Sequence, residues 1–134
     1  MVENRLPSRL LSRAHDGGGE LTWRPNDVPD VIDAVERAGG VVRSVIARFN
    51  TPDGTLEPVH TQRDLGLRPR GETEAEYADR SIAWARAAFA DLMREDFAAI
   101  VRQQPGFLDD LTPEAAVARH LGFVLSLNEP EHYI

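Results

Sequence analysis

The stretch from Glu72 to Gln103 constrains the fold most, because Ala, Leu, Glu and Arg dominate it and its apolar residues keep a helical period. Ile82, Ala85, Phe89, Met93, Phe97 and Ile100 share one stripe. Glu72, Glu74 and Glu76 sit where the positive end of the helix macrodipole favours acids, and Glu76 stands four residues before Arg80. A continuous helix over this range is roughly 45 Å long and exceeds the diameter of a compact domain of this size. It must therefore kink, project, or pack against another chain. Tyr77 and Trp84 lie seven residues apart on one side, with Phe89 beyond them, and widen the apolar face. Aromatic side chains with neighbouring arginines are what anchors interfaces, which makes Tyr77, Trp84 and Phe89 candidate interface residues, with core packing as the competing assignment.

The other elements fit around that rod. Pro105 and Gly106 end it, and Thr112, Pro113 and Glu114 open a second helix through "LTPEAAVARHLGFVLSL", which offers Val117, Leu121, Val124 and Leu125 to the first. The tail "NEPEHYI" is irregular or adds a short strand. Upstream, "ELTW" reads as a strand. Asn26 or Asp27 caps a helix from Val28 to Ala38, with Pro29 in its first turn and Gly39 and Gly40 as its stop. β-branched residues from Val41 to Phe49, the reversal "NTPDGT" and a return over Thr55–Thr61 form a hairpin. Pro58 cannot donate to a ladder, so the return is expected at a sheet edge, with His60 at its end. The fold class is α+β: a small β-sheet built of strand, helix and β-hairpin, a split βαβ unit, packed against a long helix and a shorter C-terminal helix. Residues 1–16 are expected as an N-terminal amphipathic arm and residues 17–134 as a single α+β domain, with Gly17–Gly19 as the hinge. In the arm Arg5, Arg9 and Arg13 run beside Leu6, Leu10 and Ala14, either a solvated face or a docking stripe.

Composition removes several functions. The 134-residue chain carries a formal charge of −7, which suits a basic partner and disfavours nucleic acid, whose binding needs concentrated positive charge. Every basic residue is Arg, so Schiff-base and lysine general-base chemistry are out. Without Cys there are no disulfides, thiolate nucleophiles or cysteine-bound metals. The start lacks the apolar run of a signal or anchor, and the longest apolar run, near "GFVLSL", is far short of the roughly 20 residues a spanning helix needs. A soluble cytoplasmic protein without a membrane partner or cofactor is expected.

Candidate chemistry is sparse. His60 beside Asp64 has the makings of a general base held by a carboxylate, and Arg63 or Arg68 can hold an anionic substrate group. His120 lies among Val117, Phe123 and Val124 and needs a partner from another element to act. Asp96 sits near the apolar stripe, either a buried acid or a marginal residue paired with Arg. Glu129 and His132 have Glu-x-x-His spacing, but Pro130 lies inside it, and no His or acid spacing makes a metal motif. The expected function is a non-enzymatic accessory, inhibitory or regulatory protein that binds a basic protein partner and forms a homo-oligomer through the long helix. The alternative is a small metal-independent enzyme or ligand binder with His60 as base.

Overall fold

The computed structural model describes residues 6–17, 20–51, 54–104, 106–107 and 110–128. In chain order they form α1 (Ser8–Leu11), β1 (His15–Gly17), β2 (Glu20–Thr22), α2 (Val28–Arg37), β3 (Val41–Thr51), β4 (Gly54–Leu56), β5 (Gln62–Asp64), α3 (Glu74–Leu92), α4 (Phe97–Arg102), α5 (Pro113–His120) and β6 (Leu121–Asn128). The α+β class expected from the sequence is what folds.

β3 is the sheet's centre. It pairs antiparallel with β6 along one edge, from Val41 opposite Asn128 to Phe49 opposite Leu121, and with β4 and β5 along the other. Trp23 and Phe123 exchange both backbone hydrogen bonds at 2.8 Å, which joins the β1–β2 hairpin to the far side of β6. β2 and β3 therefore run parallel with β6 between them and α2 as their connection, a split βαβ unit. The central strand of that unit corrects the sequence reading. Residues 121–127 were expected to continue the last helix, but α5 ends at His120 and Leu121 turns to extended backbone. Leu121, Phe123, Val124, Leu125 and Leu127 are all buried, a run with both faces covered that suits an inner strand. Gly122 makes the pairing possible, since a Cβ there would meet Thr22 Cγ2 at 2.3 Å.

The hairpin return is also interrupted. Leu56 pairs with Phe49 and Gln62 with Ile46, so residues 57–61 stand opposite only Ala47 and Arg48. The surplus is taken up in a 3-10 turn, Val59–Thr61, where the buried Thr61 hydroxyl donates to Pro58 O at 2.8 Å. Arg48, buried in β3, donates from Nε to Glu57 Oε1 at 2.6 Å across the gap. His60 thus rides on a turn and not at the end of an edge strand.

The long helix resolves its excess length by breaking. α3 stops at Leu92, residues 93–96 turn, and α4 restarts with the Asp96 carboxylate accepting from Ala99 N–H at 3.0 Å. Asp96 is exposed and caps a helix; it is not a buried acid. The broken rod folds onto one core: Ile82, Ala85 and Leu92 from α3 and Phe97, Ile100 and Val101 from α4 join Val31, Ile32 and Val35 of α2 and Val45 and Phe49 of β3. At its start Thr73 and Glu76 form a reciprocal capping box. Glu76 is therefore occupied, and Arg80 pairs with Glu72 at 2.8 Å where the four-residue spacing pointed to Glu76.

α2 spans the expected range, with Gly39 at φ 72° taking the left-handed turn that ends it. Neither Asn26 nor Asp27 caps it by a side-chain bond; Asp27 instead receives Arg13 at 3.2 Å. That pair ties the arm to α2, while Leu6 and Leu10 are buried in the same core as the sheet. Arg5, Gly18 and Gly19 of the glycine triplet, and the tail with Glu129 and His132 lie outside the described residues.

Candidate functional site

Breaking the rod opens a groove. α4 and α5 lean on each other, the turn of residues 93–96 stands at one end, and the short 3-10 turn Pro25–Asp27 closes the other side. The cavity between them measures about 500 Å³, within the range of ligand-binding clefts. Phe97, Val117 and Leu121 make its apolar floor, and Met93, 44% exposed, makes a wall. Glu95, Asp96 and Glu114 supply carboxylates around it. Each position has a local cause: Asp96 is held by its capping bond, Glu114 by the first turn of α5 after the Thr112 cap, and Glu95 by the turn between α3 and α4. Arg24 also lines the groove, but its guanidinium donates to the carbonyls of Ala118 and Arg119 and neutralises the C-terminal end of α5. Arg102 stands 3.8 Å from Asp96 and 3.5 Å from Glu114, an exposed arrangement that leaves the rim acidic.

The residues singled out around His60 do not assemble as a base. The His60 imidazole is 57% exposed and lies 3.6 Å from Glu95, a groove carboxylate, and not beside Asp64. Asp64 accepts from the Gln62 amide. Arg63 donates to His60 O at 2.6 Å and pairs with Asp91 of α3 at 3.2 Å, while Arg68 donates to Glu72 O at 3.1 Å. Both guanidiniums serve the loop's own architecture.

His120 belongs to a second, smaller cleft of about 130 Å³ with His15, Thr22, Asn50 and Arg119. Its Nδ1 sits 2.7 Å from Asn50 O and donates to that carbonyl, so in the neutral ring Nε2 is the acceptor. Two buried atoms here, Thr22 Oγ1 and Asn50 Oδ1, have no hydrogen-bond partner among the described residues. His60 does not line this cleft, so the two histidines are not brought together.

The three aromatic candidates face inward to different degrees. Tyr77 is 1% exposed and its hydroxyl donates to Gly66 O at 2.6 Å. Phe89 packs edge-on against Phe123 at 5.1 Å, and Trp84 rests half-buried against the core at the middle of α3. Among the described residues no cluster of three His or acidic side chains is placed to hold a metal, and no helix is long and apolar enough to cross a membrane. The groove itself is absent from the sequence reading, which assigned Met93 and Phe97 to one continuous stripe and Val117 and Leu121 to one helix. The signal that locates it is Asp96, a capping residue in mid-helix. The chain matches no known family model, and comparison with curated proteins and with solved structures finds no match.

Proposed function

We propose that this chain is a non-enzymatic interaction protein of the cytoplasm whose groove takes a segment of a protein partner carrying an apolar side chain flanked by basic residues. One observation carries the reading: the groove of about 500 Å³ combines an apolar floor with three carboxylates at its rim. An apolar side chain loses water against Phe97, Val117 and Leu121, while Glu95, Asp96 and Glu114 select its neighbours by charge. The net charge of −7 steers such a segment toward the protein. Fluorescence anisotropy with labelled peptides tests it. A peptide with leucine between arginines should bind, and the same peptide with glutamates should not. Met93→Ala and Glu114→Arg should each weaken binding about tenfold, as expected for contacts worth somewhat over 1 kcal/mol. No binding, or equal binding by both variants, rejects the reading.

A small-ligand function has one observation in its favour, and that observation moves it away from His60. The unpaired Thr22 hydroxyl and Asn50 carbonyl lie beside His120 in the 130 Å³ cleft, whereas His60 stands open on a turn. A ligand with two hydrogen-bond donors can satisfy Asn50 Oδ1 and, in the neutral ring, His120 Nε2. Screening small polar compounds by the ring resonances of His120 tests this; an unmoved resonance across the screen counts against it.

A further inference from the structure

We infer that the segment received by the groove is the Leu67–Arg70 turn of a second copy of this chain, a proposal that rests on the docking reading above. Two large apolar side chains are notably exposed among the described residues: Met93 at 44% and Leu67 at 50%. Met93 is a wall of the groove. Leu67 is the first residue of Leu-Arg-Pro-Arg, in which Arg68 is tied to the loop through Glu72 O and Arg70 carries an exposed guanidinium beside the apolar tip. The turn is thus complementary to the groove in both respects, apolar tip to apolar floor and arginine to carboxylate. Arg70 is exposed and its side chain makes no hydrogen bond or ion pair among the described residues, so its charge is available to a partner.

The turn is also held ready for docking. Its entry is fixed by Leu65 N–H donating to Arg43 O at 2.9 Å and by the Tyr77 hydroxyl on Gly66 O at 2.6 Å. Its exit is fixed by Arg68 Nη1 on Glu72 O at 3.1 Å and by Glu72 N–H on Pro69 O at 3.2 Å. Pro69 removes one more backbone freedom. A tip presented on a tied loop loses little entropy on binding.

A chain cannot fill its own groove. Tyr77 holds the turn at the first turn of α3, and Met93 follows directly on its last. The nineteen residues of α3 put roughly 28 Å between the two ends. Between two copies the same separation is an advantage: a two-fold axis across α3 sets each turn at the other's groove, with Trp84 near the middle of the helix, and the exchange closes as a dimer.

Sedimentation equilibrium of the full chain over a concentration series tests the proposal. The mass should rise above the 14.9 kDa monomer with concentration. Leu67→Ser, Arg70→Glu and Glu114→Arg should each weaken association about tenfold or more, with folding checked by circular dichroism. Mixing Arg70→Glu with Glu114→Arg should restore association between the two variants, because the acidic turn of one then meets the less acidic rim of the other. A chain that stays monomeric at the highest reachable concentration overturns the proposal, as does association that all three variants leave untouched. The labelled leucine–arginine peptide separates the two levels: if it binds a monomeric chain in a Met93-dependent way, the groove reading stands and only the second copy is wrong. If the peptide fails as well, both fall.

Discussion

The Asp96 carboxylate accepts a hydrogen bond from the Ala99 N–H at 3.0 Å, and with that bond one rod becomes two helices and a groove. The bond satisfies a donor that the first turn of α4 leaves without an intrahelical partner. Asp96→Ala should cost about 1 kcal/mol in urea denaturation, and Asp96→Asn, which keeps the acceptor oxygen, should lie close to the parent chain. Equal losses for both would mean that charge at the groove rim, and not the cap, sets the effect.

Gly122 and Thr22 carry the second prediction. A Cβ at Gly122 would sit 2.3 Å from Thr22 Cγ2 and 3.3 Å from Trp23 O, between the strands that the Trp23–Phe123 bridge holds together. Thr22 is buried and β-branched, so its methyl has little room to turn away. Gly122→Ala should therefore destabilise by about 1–3 kcal/mol. Thr22→Ser removes the methyl, and the double variant should recover on the order of 1 kcal/mol beyond additivity, measured as a double-mutant cycle by thermal or urea unfolding.

How much of this was legible depends on whether the deciding contact is local. The ends of α2, the cap of α5 at Thr112 and the hairpin reversal after Phe49 are set within a few residues, and the sequence declares them. The fate of residues 121–128 is not local. A short apolar run such as Leu121–Leu127 reads equally as buried helix or buried strand, and only its ladder with β3 and the close approach of Gly122 to Thr22 decide. Asp96 is the opposite case, a local signal masked by the strong helical period on both sides. The groove follows from the two together: it needs α4 to restart at Asp96 and α5 to stop at His120, so neither wall exists in a reading with two unbroken helices.

Tyr77 supports the loop that presents Leu67. Its hydroxyl reaches Gly66 O at 2.6 Å while the ring is buried against Val41 and Ala78. Tyr77→Phe keeps the ring and removes the donor, leaving the carbonyl of an exposed loop residue free to find water. The expected loss is about 1 kcal/mol, and amide hydrogen exchange across residues 65–71 should quicken while exchange in β3 stays near the parent rate.

The start of α3 sets an acid-side dependence of stability. The Arg80 guanidinium, hydrogen-bonded to Glu72, holds that carboxyl below its ordinary 4.5, and the hydrogen bond from the Thr73 backbone N–H, joined by the Thr73 side chain, does the same for Glu76. Both groups therefore bind fewer protons in the folded chain than in the unfolded one across the window just below 4.5. Stability rises with pH through that window; the contribution is complete above the unfolded value and is lost as pH falls through the folded ones. Urea midpoints followed from about pH 5 to about pH 3 should fall less steeply in Glu72→Gln and Glu76→Gln than in the parent, because each substitution removes one titrating group while keeping an acceptor oxygen. The double variant should be flatter than either, since Glu72 acts through Arg80 and Glu76 through the cap. An unchanged slope in all three would place the acid sensitivity in other carboxylates.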